Sequence, residues 1–313
     1  MEGRVYDAAG QGWDLPVLLR WDVSHGFCSP CDCFEVEFLY EPEMLETLRA
    51  ACRFSAFHEG QTVFRGVVDE VELSADDSGR SAVVRGRGMQ ALLLDSEAES
   101  ADYSGADLDF ILQRHVRAPG VAEIERGALT GSAAAFSVSS GESHWSVLSR
   151  FAEFCLGVRP RFSPEGVLVL DGGDSGRRFQ LDGAAGVGAQ RLTIDRYGVL
   201  SAAVVKNRVL RTSVTVENEA FQALGGQCVR VLNVPRHTGF DAMRHTGAYR
   251  IAKSREEFFR LRVELPGLFA AFPGDRAAVT GSSLGVSGEM LVWSSRCFAD
   301  AERAGTVLEL RQL

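Results

Sequence analysis

Arg85-Gly86-Arg87-Gly88-Met89-Gln90-Ala91-Leu92-Leu93-Leu94-Asp95-Ser96-Glu97-Ala98 is the stretch on which the fold turns. Its first half closes a run of alternating strands, and its second half, apolar and then acidic, leads the chain out of them. Upstream, from Leu15 to Val84, apolar residues recur mostly at every second position. Phe34, Val36 and Phe38 alternate with Glu35 and Glu37, and Val67, Asp69, Val71 and Leu73 are expected to share a face of the next long strand. That period predicts an antiparallel sheet with one wet face. Met44, Leu45, Leu48 and Cys52 recur at helical spacing after Glu41-Pro42, where proline suits a first turn. Asp76-Asp77-Ser78-Gly79 predicts the hairpin that returns the chain into Ser81–Arg85. About six such strands close a small barrel over residues 1–99.

Downstream the period changes to that of a helix. Leu108, Ile111, Leu112 and His115 form one stripe, preceded by Ser104 and Asp107 as a capping pair. Trp145, Leu148, Ala152 and Cys155 form a second stripe after Ser143, ending at Gly157 before a hairpin over residues 161–170. Residues 100–195 are therefore expected to be a small α+β insert. From Arg196 alternation returns in 204–209, 213–217, 227–234 and 259–265, then 275–280, 288–298 and 305–310, predicting a second barrel over 196–313. The expected fold class is mainly β, two small barrel-like tube domains flanking an α+β domain.

The chain has 313 residues, 45% hydrophobic and 24% charged, enough for two or three domains with their own cores. No window approaches the roughly 18 apolar residues of a membrane span, and Met1-Glu2-Gly3-Arg4 lacks an export signal, so no membrane partner is expected. A net charge of −9 argues against a phosphate-binding surface, and no sequence-specific nucleic-acid contact is expected.

Seven cysteines without a signal peptide point to reduced thiols. Cys28, Cys31 and Cys33 form C-x-x-C-x-C, and a thiolate zinc site can be drawn there, but a second ligand pair is missing; small apolar turn residues are the simpler reading. No catalytic residues, metal or cofactor are assigned. His144 and Cys155, eleven residues apart on one helix, stand about 16 Å apart along its axis and cannot touch. The glycines at 183, 186 and 188 lack the strand and helix of a phosphate cradle. Nothing singles out a carboxylate pair for sugar hydrolysis.

The order of motifs resembles the prophage tail hub family, baseplate hub proteins related to the N-terminal part of valine-glycine repeat spike proteins. Val63-Phe64-Arg65-Gly66-Val67-Val68-Asp69-Glu70 leading to Gly86-Arg87-Gly88 and Leu92–Ala98 carries the likeness in the first barrel. Tyr249–Arg255 leading to Val263-Glu264-Leu265-Pro266-Gly267 and Phe272-Pro273-Gly274-Asp275 carries it in the second, and Ser139–Leu148 with Pro160-Arg161-Phe162 in the insert.

The resemblance implies a homotrimer in which two similar barrels from each of three chains form a ring. That ring adapts a sixfold tail tube protein to a threefold central spike protein, among other baseplate proteins, in a contractile phage tail or tailocin assembled in the bacterial cytoplasm. It implies a separate spike; if DNA passes through the lumen, the net charge of −9 leads us to expect that it slides there without sticking. Asp95, Glu97, Arg65, Asp69 and Arg87 are the residues to examine at a subunit contact or structural ion pair; solvated surface charge is the simpler reading of each. The other function classes are a carbohydrate-binding adhesin, which needs exposed aromatics for sugar stacking, and a cell-wall hydrolase of the tail tip. Trp13, Trp21, Trp145 and Trp293 sit in apolar patterns and are expected in cores.

Overall fold

The computed structural model describes the whole chain except residues 28–30, 78, 172, 184–185, 235–238 and 313. The fold is mainly β, and both β regions belong to one 13-stranded sheet. Its strands are β1 (Glu2–Tyr6), β2 (Gly12–Asp14), β3 (Leu18–Gly26), β4 (Cys33–Leu39), β5 (Arg53–His58), β6 (Gln61–Asp76), β7 (Gly79–Gly88), β8 (Arg178–Asp182), β9 (Gln190–Ile194), β10 (Phe259–Pro266), β11 (Arg276–Thr280), β12 (Gly288–Ala299) and β13 (Ala304–Arg311). They run in the order β9-β10-β13-β12-β3-β4-β7-β6-β5-β1-β2, with β11 pairing β12 and β8 pairing β11.

The alternation in β4 is realised: Phe34, Val36 and Phe38 are buried between half-exposed Glu35 and Glu37. Phe54 stacks on Phe34 with centroids 4.1 Å apart, and both pack with Phe64 to fill the first β unit. The expected shared face in β6 is corrected. Val67 lies opposite Arg87, Glu70 opposite Arg85 and Val71 opposite Val84, so Asp69 is an extra, bulged residue. One inserted residue reverses the alternation, which puts Val67 and Val71 on opposite faces.

The two β units repeat each other strand for strand. Asp22, Glu35, Arg85 and Glu70 stand abreast across β3-β4-β7-β6. Arg191, Arg262, Glu309 and Ser294 stand abreast across β9-β10-β13-β12. The next apolar row, Val23, Phe34, Gly86 and Val68, corresponds to Leu192, Leu261, Leu310 and Val292. Both long strands slip by one residue at the same row, at Asp69 in β6 and at Trp293 in β12. In each unit the same arginine answers the bulge: Arg87 pairs with Asp69, and Arg311 lies 3.9 Å over the Trp293 ring. Between the units β12 and β3 are hydrogen-bonded antiparallel, Ser294 opposite Gly26 through Ala299 opposite Trp21.

Three expectations change here. β8 and β9, expected in the insert, pair with β11 and β10 and complete the second unit. The alternating segments between 202 and 234 do not join it. Ala202–Asn207 is instead the centre of a separate three-stranded sheet, flanked by Thr212–Glu217 and Val229–Asn233. It is backed by the helix Phe240–Arg255, which contains the Tyr249–Arg255 motif and buries Met243, Gly247 and Ile251. A period of two marks a strand but says nothing about which sheet receives it. Ser104 lies in the strand Ala101–Asp107, and Asp107 alone caps the helix, accepting from Phe110 N at 2.8 Å.

The helix after Ser143 starts as expected, Ser143 Oγ accepting from Ser146 N at 3.2 Å, and stops at Gly157, whose φ of 68° is open to glycine. The stripe residues Ile111 and Leu148 are fully buried with Phe151 and Leu168 in the insert core.

Candidate interface around Arg87

Arg87 leaves the β7 ladder beside the bulge, so its guanidinium reaches two carboxylates. Nε and Nη2 donate to Asp69 at 2.7 and 2.9 Å; Nη1 and Nη2 donate to Asp95 at 2.8 and 2.7 Å. The two acids hold the guanidinium above its usual range, and Arg87 holds the Asp95 carboxyl below its own. Asp95 follows the short helix Ala91–Leu94, so the clamp ties the sheet to the chain leaving it. Substitution Arg87→Met leaves two carboxylates side by side without their donor. With both pairs part-exposed, a loss of about 1–2 kcal/mol is expected, read as a lowered urea midpoint at unchanged slope.

Glu97 and Arg65 lie apart from this clamp. Glu97 accepts from Gly141 N at 2.8 Å and bridges to Ser143, fixing the start of the insert helix. Arg65 faces Glu123 of the insert at 3.6 Å. The structure thus brings Asp69, Arg87 and Asp95 together, and sets all five residues on contacts within the chain.

The same sheet face carries a row of ion pairs across five strands. Arg296 Nε lies 2.8 Å from Asp22, Arg20 pairs with Glu35, and Arg85 reaches Glu35 at 2.7 Å and Glu72 at 2.8 Å. Arg20, Asp22, Glu35, Arg85 and Arg296 line an open groove of about 680 Å³ between β12 and β6. Arg20, Arg85 and Arg296 each already face a carboxylate, which weakens the positive field the groove offers a phosphate, while Arg303, also in its lining, lies 5.1 Å over the Phe298 ring.

Beneath the groove is a buried polar knot that sequence reading missed. Asp32 accepts from Gly26 N at 2.9 Å and Gln90 Nε2 at 3.1 Å and faces His25 Nδ1 at 3.3 Å. His25 Nε2 donates to Val63 O at 2.9 Å, and its ring meets Phe272 of the second unit edge-on at 5.2 Å. The knot sits where the cysteine cluster was noted. Cys28 lies outside the described residues. Cys31 donates to Gly88 O at 3.6 Å, and burial with Asp32 beside it pushes its thiol up to about 12. Cys33 lines the groove, and partial desolvation of its sulfur there, with Asp22 beside it, also raises its thiol. Both environments oppose the thiolate that zinc requires. Among the described residues no three His, Cys, Asp or Glu side chains are placed to hold a metal ion.

A second cluster joins the insert helices. His115 Nδ1 and His144 Nδ1 are 3.0 Å apart, and Tyr103 Oη lies 3.2 Å from His115 Nε2. His144 is thus engaged by His115 and not by Cys155. Burial, with His144 and Arg114 facing it, pushes the His115 pKa from 6.5 down to about 4. Between those values the unfolded chain binds a proton that the folded chain refuses. Stability is therefore complete above pH 6.5 and falls as the pH drops toward 4, by up to about 3 kcal/mol. Urea unfolding at neutral pH and near the lower limit checks this, and His115→Leu is expected to flatten the difference.

No protein-family model matches the chain, and no curated protein matches it. Solved structures do. The tail protein from Neisseria meningitidis MC58 superposes with a TM-score of 0.80 at 17% identity, over 99% of this chain and 96% of that one. The 43 kDa tail protein of prophage MuSo2 from Shewanella oneidensis gives 0.76 at 16% identity, over 99% and 97%. The chain has the tail-protein fold. The same fold extends to the E. coli c3393 protein, a component of the type VI secretion system, with a TM-score of 0.57 at 13% identity over 94% of this chain and 73% of that one. Within this tail-protein fold Trp21 and Trp293 are buried, Trp13 packs on the first-unit core and Trp145 on the insert core, so none forms a sugar-stacking platform. Among the described residues no helix is long and apolar enough to cross a membrane.

Proposed function

We propose that this chain is a structural hub of a phage-tail baseplate, three copies forming a ring between a sixfold tail tube and a threefold spike. The particle is a contractile tail, of a phage or a tailocin, and the other partners are neighbouring baseplate proteins. The observation that carries the reading is the strand-for-strand repeat inside one continuous sheet. A chain with two equivalent units side by side supplies six equivalent positions when three copies close into a ring, while the copies themselves keep threefold symmetry. Residues 1–99 are one ring unit and 259–311 with β8 and β9 the other; the rest of 100–195 is the insert, and 202–255 is a separate sheet-and-helix piece inside the expected second domain of 196–313. Full-length likeness to tail proteins from two bacteria supports the same reading. So does the groove of internally paired charges, a wall past which a nucleic acid slides without being held.

Light scattering on the purified chain, alone and with its candidate spike, tests it. A mass of three chains with a ring in electron micrographs is expected. A chain that stays monomeric at all concentrations and with the spike would overturn the reading.

A further inference from the structure

The internal repeat says more than that two units are alike, because only one of its two possible junctions is made inside the chain. At that junction the second half of β12 pairs with β3, Arg296 reaching across to Asp22. By the row equivalences above, β12 corresponds to β6 and β3 to β9. Both counterparts have an open side. β5 pairs β6 only as far as Val67, and among the described residues the outer edge of 70–75 has no backbone partner. β9 is the terminal strand of the sheet.

We propose that the β6 edge of one copy pairs antiparallel with the β9 edge of the next, repeating between copies the β12–β3 junction seen within one. This rests on the ring reading and names its contact. Carrying the register over places Leu73 opposite Leu192, as Cys297 lies opposite Val23, and Val71 opposite Ile194, as Ser295 lies opposite His25. Leu73 is 37% and Ile194 55% exposed on the single chain, whereas Ser295 and His25 are 2% and 7%. The junction would remove from water the apolar side chains that these edges leave in it.

Charge provides an independent argument. The position of Asp22 is taken by Arg191 in the second unit, and that of Arg296 by Glu72 in the first. The signs are exchanged on both sides at once, so the transposed contact is again one acid and one base. Arg191 stands beside Arg262, like charges directly opposite that call for an acid, and no ion pair among the described residues includes it. Glu72 is held at the β6 edge by Arg85 at 2.8 Å, in place to take a second guanidinium. A contact between different strands of successive copies is head-to-tail and closes into a ring when the rotation permits. Each copy would contribute the eight strands from β9 to β6 to one wall.

The test uses the full chain. Glu72→Arg and Arg191→Glu are each expected to raise the trimer dissociation constant about tenfold or more in light scattering, and the two together to restore it. Circular dichroism controls for folding, since both side chains are exposed on the single chain. Leu73→Cys combined with Leu192→Cys is expected to form intermolecular disulfides up to three chains under oxidation, with neither single variant doing so. A wild-type trimer that survives both reversals and gives no cross-link overturns this contact while leaving the ring reading intact. A wild-type chain that is monomeric throughout, alone and with the spike, overturns both.

Discussion

Gly86→Ala is expected to destabilise the chain by more than about 3 kcal/mol, enough to leave much of it insoluble or unfolded. A Cβ at Gly86 would lie 1.9 Å from the Val67 carbonyl oxygen and 2.6 Å from Phe34 Cε1. The first is backbone of the neighbouring β6 ladder and the second belongs to a ring already stacked on Phe54, so neither can yield without pulling two strands apart. Gly66 shows the same constraint from the other strand, its Cβ falling 2.1 Å from the Arg87 oxygen. These glycines let β6 and β7 approach where the bulge bends the sheet. Urea unfolding of any soluble fraction is the check; a midpoint matching that of the parent chain would mean that the strands do not cross this closely.

Asp32→Ala is expected to cost about 3–5 kcal/mol, the range for breaking a buried, hydrogen-bonded charged site by removing one partner. The substitution leaves the Gly26 N–H and the Gln90 amide without their acceptor and removes the carboxylate that His25 Nδ1 faces, all at the joint between the β units. Asp32→Asn keeps the shape and one oxygen and should lose less. Because His25 also touches Phe272, the loss should appear in both units as one transition, followed by intrinsic fluorescence and by far-ultraviolet circular dichroism. Two separated transitions would show that the knot serves the first unit alone.

Much of the local structure was legible in the residues. Phe34, Val36 and Phe38 alternate because a strand presents successive side chains to opposite faces, and Ser143 and Gly157 mark a helix because its ends need an acceptor and a left-handed residue. The candidate site was half legible. Arg87, Asp69 and Asp95 stood out as charges within the motif run Val63–Glu70, Gly86–Gly88 and Leu92–Ala98, but that one guanidinium serves both acids depends on Asp69 being bulged, which no sequence period encodes. His25 and Asp32 were invisible as partners, and His115, though placed on the apolar stripe of its helix, gave no sign of His144, since partners up to 58 positions away show only when the fold sets them side by side.

By itself, then, the sequence determined most of the strands, the two insert helices and the ends marked by Asp107, Ser143 and Gly157, because these depend on side chains within a few positions of one another; the helix Phe240–Arg255 was not read from it. The tertiary structure alone decided which strands meet: that 178–182 and 190–194 belong with the C-terminal strands, that 202–255 stands apart, and that β12 joins β3. Pairing is settled by contacts between distant segments that compete for the same open edges, and an alternating strand satisfies many edges equally well. The exchange of Asp22 for Arg191 and of Arg296 for Glu72 became readable only once register had set those residues in the same rows.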